Sequence, residues 1–221
     1  LTGNPYLPGS SIKGAIRTAL LAKRLVNPTE RIDKLANGII SDRDLEPKIF
    51  RYLNNWRKPD ITNDPFKFLK VSDIEFPADY LTLRVVENAK KSPNEERKHT
   101  PQELEYLCQA VRKGSDPLIG IIQIHKCWQD DNPMLQIVAA CSAFFKTKLN
   151  EDKIFYTAHN PALHKILCEL PDKCAANECF LRLGKATGIV HKSINPQQPQ
   201  TRSLIGGMPM GICKLSFEEL I

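Results

Sequence analysis

The order of the predicted elements indicates an α+β fold. A basic amphipathic helix near the N terminus precedes two segments of partial period-2 alternation, several helical segments follow, and strands with glycine turns return from about residue 180. This grouping suits an α+β arrangement better than a parallel sheet, in which strands and helices alternate strictly. The 221 residues suffice for one large domain, and the 42% apolar content predicts a packed core.

The first helix is predicted over residues 12–25. Pro8 and Gly9 form a turn, Ser10 or Ser11 can cap the helix, and an Asn-Pro pair at 27–28 ends it. Its core-facing stripe at helical spacing consists of Ile12, Ala15, Ile16, Ala19 and Leu20. A helix N terminus beside serines and cations suits phosphate oxygens, although an ordinary capped helix with solvated lysines would show the same pattern.

The middle of the chain mixes predicted strands and helices. Residues 44–56 read as a short helix, 66–76 and 80–86 as strands, and 87–100 as a polar loop. In the second strand we expect Leu81, Leu83 and Val85 to face the core. The run from Thr100 to Glu103 offers a cap, a proline and a glutamate, which predicts a helix ending at Gly114.

The remaining elements follow from similar signals. The isoleucine-rich residues 118–128 predict a buried strand. Asn-Pro pairs at 132–133 and 160–161 each predict a helix start, with the helices ending near residues 145 and 168. From residue 180 the pattern predicts strands.

Positive charge is concentrated at the two ends of the chain. Residues 1–25 carry four cations and no acid, for a net +4, and residues 181–221 carry +3, which leaves −1 of the total +6 for the middle. A polyanion that touches both ends is the simplest explanation, and solvated basic termini are the alternative.

The cysteines indicate a reduced intracellular protein, and no segment of the sequence predicts a cofactor. Seven cysteines contain no Cys-x-x-Cys pair, and the sequence shows neither a signal peptide nor an apolar run that could span a membrane, so we expect a cytoplasmic location. His164, Cys168, Cys174 and Cys179 could in principle ligate zinc, but their spacing is wider than in structural knuckles. We therefore predict no metal site, and the absence of a Walker motif disfavours ATP.

Four segments resemble a known family. The run Pro8–Arg17 (PGSSIKGAIR) is similar to the signature of the RAMP superfamily, the RNA-binding subunits of type III CRISPR–Cas effector complexes. Residues 180–189 resemble the family's glycine-rich loop, Phe68–Asp73 its V-S-D strand, and Met210–Leu215 its final strand.

The resemblance implies an RRM-like (ferredoxin-like) RAMP domain with helical insertions. We expect one domain over residues 1–221, a helix-rich insertion at about 100–180, and a first strand that is lost or lies upstream of Leu1. The two basic motifs then predict RNA contacts from Ser10, Ser11, Lys13, Arg17, Arg182, Gly184, Lys185, Thr187, Gly188, His191 and Lys192. For the glycine stretch, a hairpin turn without a ligand is the alternative.

Within the family the chain most resembles the Csm-type subunit that caps the 3′ end of the guide RNA. The implied role is to bind the 3′ portion of CRISPR RNA, end the filament of backbone subunits in a type III-A complex, and support guide maturation and antiviral defence. The implied partners are guide RNA, other Csm-type backbone subunits and host maturation nucleases.

Alternative functions stay open at this point. The chain could be a RAMP endoribonuclease, either a target-RNA slicer or a guide-processing enzyme with a histidine base, or a single-strand RNA binder outside CRISPR. The aspartates that a slicer could use are Asp60, Asp64 and Asp73. None of them stands in a recognisable constellation, so we predict no catalytic residue and no enzymatic activity.

Overall fold

The computed structural model describes residues 3–24, 42–56, 58–90, 102–107, 117–128, 131–170, 174–183, 201–205 and 208–218. The helices are α1 (Gly9–Arg24), α2 (Asp42–Ile49), α3 (Pro133–His159) and α4 (Pro161–Glu169). The strands are β1 (Tyr6–Leu7), β2 (Leu69–Val71), β3 (Ile74–Glu75), β4 (Leu81–Lys90), β5 (Gln102–Leu107), β6 (Ile122–Ile124), β7 (Glu178–Arg182), β8 (Thr201–Ile205), β9 (Met208–Pro209) and β10 (Ile212–Ser216). The predicted α+β class is confirmed.

The strands form small antiparallel sheets that join distant parts of the chain. β1 pairs with β3, β2 with β6, and β7 with β10, while a four-stranded sheet has the order β5-β4-β8-β9. The short strand β1 precedes α1, where the resemblance implied a strand upstream of Leu1. The final strand predicted over residues 210–215 is present as β10.

Helix α1 starts three residues before its predicted position because a distant carboxylate caps it. The backbone N–H of Gly9 donates to Oδ1 of Asp73 at 2.7 Å. Ser10 and Ser11 lie inside the first turn, so the predicted serine cap is wrong. Gly9 also touches the backbone after β2, where a Cβ would lie 2.6 Å from the carbonyl oxygen of Ser72. Glycine is therefore required here for space.

The core lies between α1, α3 and the strand pairs. Ile12, Ile16, Ala19 and Leu20 of the predicted stripe are buried, and Ala15 packs at the edge of the same cluster. Opposite them α3 contributes its own buried side, which includes Ile137, Val138, Ala140 and Cys141. A second cluster joins the C-terminal half of α3 to α4 and β7 through Phe145, Tyr156, Leu163, Leu167 and Phe180.

Residues 102–107 are a strand, so the helix predicted from the cap signal at Thr100 is wrong for them. β5 pairs residue by residue with the first half of β4, from Leu81 opposite Leu107 to Val86 opposite Gln102. A cap signal acts over one turn, whereas this ladder satisfies the backbone of the whole segment. β4 also continues to Lys90, because its second half pairs with β8. The first four residues of the loop predicted over 87–100 therefore belong to a strand.

Several other elements have bounds that differ from the predicted ones. Of the predicted strand 118–128 only Ile122–Ile124 forms a strand, and Ile119 is 82% exposed, so the prediction that the whole segment is a buried strand is wrong. The segment 66–76 divides into a 3-10 turn, β2 and β3. Helix α2 ends at Ile49, before the predicted end at residue 56. Asn132 and Asn160 cap α3 and α4 as predicted, but α3 runs to the second Asn-Pro pair.

Arg182 at the end of β7 ties that strand to α3 and to the turn before β10. The residue is only 5% exposed; its Nη1 donates to Oδ2 of Asp152 and its Nε to the carbonyl of Met210, both at 2.9 Å. Gly211 follows in the left-handed region with φ 79°, and a Cβ at this position would collide with the carbonyl oxygen of Leu183. The arginine therefore fixes three elements at once.

Replacing Gly9 with Ala should destabilise the protein, because the new methyl group would overlap main-chain carbonyls. We expect the free energy of unfolding to fall by about 2 kcal/mol, within the range for overpacking. Gly14 of the same helix is the matched control: a methyl group there meets no heavy atom within 4 Å, so Gly14→Ala should stabilise α1 by up to about 1 kcal/mol. Urea unfolding followed by circular dichroism measures both; equal effects at the two glycines would contradict this packing.

Replacing Asp152 with Ala should leave a buried guanidinium without its carboxylate. We expect a loss of about 3–5 kcal/mol in unfolding free energy, the usual effect of removing one partner of a buried ion pair. The neighbouring Glu151 pairs with Lys148 near the surface, and Glu151→Ala should cost at most about 1 kcal/mol. Urea unfolding measures both variants. A loss of unfolding free energy for Asp152→Ala as small as that for Glu151→Ala would contradict the prediction for the buried Arg182–Asp152 pair.

Candidate nucleic-acid interface

The first two turns of α1 present the predicted basic motif. Ser10 is exposed, and Ser11 and Lys13 are half-buried. Lys13 makes no hydrogen bond or ion pair with any residue in the described ranges. Its ammonium group is thus available to a polyanion, and the prediction of a phosphate contact at Lys13 keeps its physical basis.

Gly14 leaves the helix surface open beside Lys13. Gly14 is exposed, and the space where a side chain would stand holds no heavy atom within 4 Å. Another backbone, such as a sugar–phosphate chain, could approach α1 closely at this point. The sequence reasoning did not single out Gly14 as a contact, although it lies inside the PGSSIKGAIR signature.

Arg17 lies one turn further along α1 and points into the protein. Its guanidinium bonds Glu46 through Nε, Oδ2 of Asp64 at 2.6 Å and the hydroxyl of Tyr52 at 3.1 Å. It also lies 4.6 Å from the ring centroid of Phe66. Burial alone would lower the pKa of Arg17, but the bonds to Asp64 and Glu46 outweigh it and raise the pKa. Two carboxylates therefore compensate this charge, and the phosphate contact predicted for Arg17 stays a prediction.

The helix N terminus already has an anion. The Asp73 carboxylate accepts from the N–H of Gly9, and a phosphate at that position would meet its negative charge. Ser72 of the same motif accepts a hydrogen bond from the N–H of Ile121 at 2.9 Å through its hydroxyl. The V-S-D motif therefore fixes the chain around α1, and the side of the helix is the part of this surface that stays open to a phosphate.

Only part of the C-terminal motif lies within the described residues. Arg182 is buried on Asp152, so its guanidinium has a structural role, and its predicted phosphate contact gains no support. The other predicted contacts of this motif lie outside the described residues and stay predictions: Gly184, Lys185, Thr187, Gly188, His191 and Lys192.

A second basic surface, which the sequence reasoning missed, follows β2 and β6. The Lys67 ammonium lies 4.9 Å from the Phe68 ring, and that ring stacks on His125 at 5.5 Å. Lys70 and Lys126 are exposed next to them in the chain. Cations beside a stacked aromatic ring suit single-stranded nucleic acid. The lysines on either side of an aromatic residue, Lys67 and Lys70 around Phe68, are the sequence pattern that could have predicted this surface.

The three aspartates considered for catalysis all serve as caps. Asp60 accepts from the backbone and hydroxyl of Thr62, and these bonds hold the pKa of Asp60 below its usual value. Asp64 caps a 3-10 turn at Phe66 and pairs with Arg17, and Asp73 caps α1. Each carboxylate thus has a structural role.

The possible zinc ligands are separated in space. His164 and Cys168 are adjacent, with Nε2 and Sγ 3.5 Å apart, but Cys179 is buried against Cys141. Among the described residues no three histidine, cysteine or acidic side chains come together as a metal site. No helix within the described ranges is long and apolar enough to cross a membrane.

Two solved structures share this fold. A chain of a cryo-EM structure of a Csm–crRNA–target RNA ternary complex of the type III-A CRISPR–Cas system matches with a TM-score of 0.66 and 19% identity, covering 98% of this chain and 74% of that one. The crystal structure of Csm5 from T. onnurineus matches with a TM-score of 0.64 and 19% identity, covering 96% and 71%. None of the curated proteins matches the sequence.

The family is settled by a sequence model. The RAMP superfamily model matches residues 1–188, which include the whole of α1, the V-S-D motif and the start of the glycine-rich stretch. The predicted resemblance is therefore confirmed: this chain belongs to the RAMP superfamily.

Proposed function

We propose that this chain is an RNA-binding subunit of a type III-A CRISPR–Cas complex. It binds the 3′ portion of the guide RNA, ends the filament of backbone subunits and supports guide maturation. Its partners are guide RNA and other Csm-type subunits. Binding is mainly to phosphate and sugar, because the sequence of a guide varies and cannot be read base by base.

The side of α1 carries this proposal. A partly exposed Lys13 without a protein partner in the described ranges lies next to the uncovered Gly14 and the exposed Ser10. Cation, hydroxyl and open helix surface together suit a sugar–phosphate backbone. The similarity in fold to a chain of a complex that contains crRNA supports this choice of ligand. The capping position rests on the resemblance of the sequence to the Csm-type capping subunit, and the fold shared with Csm5 supports a Csm-type subunit.

The structural roles of the aspartates favour binding over cleavage. A nuclease needs a carboxylate or a base that is free to act at the scissile phosphate. Asp60, Asp64 and Asp73 instead hold turns and a helix start. A subunit that holds RNA without cutting it is the function that this arrangement supports best.

Purification of the full-length protein with its neighbouring subunits tests the proposal. Sequencing of the bound RNA should give guides whose protected part includes the 3′ end, and omission of this chain should leave filaments of less uniform length. The protein alone, with or without Mg²⁺, should leave guide and target RNA intact. Cutting at a defined position that disappears in Asp73→Asn while binding persists would indicate a RAMP endoribonuclease instead.

Replacing Lys13 with Ala should weaken binding of unrelated single-stranded RNAs to a similar degree, because one phosphate contact is lost. The slope of log K against log salt should shrink by about 0.7. The matched control is Lys146→Ala, which removes the same charge from an exposed position on α3 and should leave the slope unchanged.

Arg17 is a poor second position for that measurement, because Arg17→Ala leaves Glu46 and Asp64 without their cation and should lower stability first. A folded Lys13→Ala protein with the affinity and salt slope of the wild type would exclude the α1 interface.

A further inference from the structure

A closed loop between α2 and β2 holds a tryptophan in solvent. Leu53 and Pro59 form an antiparallel bridge, and the N–H of Asn54 donates to the carbonyl of Lys58 at 2.9 Å. At the base of the loop the N–H of Asp60 donates to the carbonyl of Tyr52 at 2.7 Å. The described part of the loop therefore has a defined shape, with Asn54, Trp56 and Lys58 at its tip.

The tip is fixed by one side chain. Oδ1 of Asn54 accepts the backbone N–H groups of Trp56 and Lys58, both at 2.9 Å. These bonds hold the main chain while the Trp56 side chain stays 83% exposed. Trp128, the only other tryptophan of the sequence, is 8% exposed and packs on Phe66. An indole held outward on a braced loop has its faces free for a flat ligand.

The charge around Trp56 indicates the kind of ligand. Residues 50–60 contain three cations, Arg51, Arg57 and Lys58, and one acidic residue, Asp60, whose carboxylate accepts hydrogen bonds from Thr62 and Asn63. Arg51 and Lys58 are both exposed. An aromatic ring among cations matches the stacked bases and phosphates of single-stranded nucleic acid. An apolar pocket of a protein partner would have to accommodate the same cations, so RNA is favoured.

The loop is attached to the proposed RNA-binding helix. Tyr52 at its base accepts a hydrogen bond from Arg17, and Arg17 follows Lys13 by one turn of α1, a rise of about 6 Å. The Arg17 network thus sets the position of the tryptophan loop relative to the exposed side of α1. One RNA strand could contact both.

We propose that Trp56 stacks on an unpaired base of single-stranded RNA, with Arg51 and Lys58 contacting the adjoining phosphates. This contact rests on the proposed function for its ligand class and adds a residue outside the matching motifs. Stacking accepts every base, because each has a π face, and so suits a variable guide.

The test compares full-length variants in binding to a fluorescently labelled single-stranded RNA of mixed sequence. Trp56→Ala should lower affinity about 5- to 150-fold, the range for loss of one stacked base. Its salt slope should equal that of the wild type, since an indole neutralises no phosphate, whereas Lys13→Ala should reduce the slope. Trp56→Phe should keep most of the affinity, and Ile61→Ala, an exposed apolar control close by, should have no effect.

Fluorescence provides a readout that needs no destabilising variant. RNA should quench the exposed Trp56 of the wild type, and Trp56→Phe, which retains only the buried Trp128, should show no quenching. An RNA of equal length with abasic sites should bind the wild type more weakly and should show little quenching.

The outcomes separate this contact from the proposed function. If Trp56→Ala binds RNA like the wild type while Lys13→Ala binds weakly, the stacking proposal is overturned and the RNA-binding function stands. If neither variant loses affinity, the stacking proposal and the α1 interface are both overturned, and if the wild type itself does not bind RNA, the proposed function fails as well. If Trp56→Ala keeps its RNA affinity but no longer co-purifies with neighbouring subunits, the tryptophan docks a protein and the stacking proposal is overturned.

Discussion

The contact between the start of α1 and the segment after β2 sets the arrangement of the N-terminal half. The N–H of Gly9 bonds Asp73, and the missing side chain lets the helix approach the carbonyls of Val71 and Ser72. The hydroxyl of Ser72 in turn accepts a hydrogen bond from the N–H of Ile121, which fixes the chain that leads into β6. Two motifs that are 64 residues apart in sequence therefore act as one structural unit. The signature glycine and the V-S-D aspartate owe their positions to this contact.

Two chemically similar cations of the same helix have different surroundings. Arg17 combines charge-assisted hydrogen bonds to two carboxylates with a contact to the Phe66 ring, and it holds the segment from α2 to β2 against α1. Lys13, one turn away, has no such partner among the described residues. The positive charge available to a ligand is therefore smaller than the charge of the N-terminal segment suggests. Arg182, in the basic C-terminal segment, is likewise paired with a carboxylate, that of Asp152.

Carboxylates show the complementary pattern. Asp60, Asp64 and Asp73 each precede or face a short run of backbone N–H groups and satisfy them. A chain with many short strands and 3-10 turns has many such donors, and aspartate is the residue that suits them. Trp56, held outward by Asn54, is the contrasting case of a large apolar side chain that the fold leaves uncovered.

Local signals in the sequence determined the elements that depend on local physics. The apolar stripe of α1 and the Asn-Pro starts of α3 and α4 were predictable, because caps and periodicity act within one or two turns. The final strand was predicted from the family resemblance of residues 210–215. The family also follows from the sequence, through the PGSSIKGAIR run. Tertiary structure decided that residues 102–107 form a strand, because their backbone pairs with β4 some twenty residues earlier. It also decided which arginines bind carboxylates: guanidinium groups bind carboxylate and phosphate in the same geometry, so only the folded chain reveals which partner is within reach.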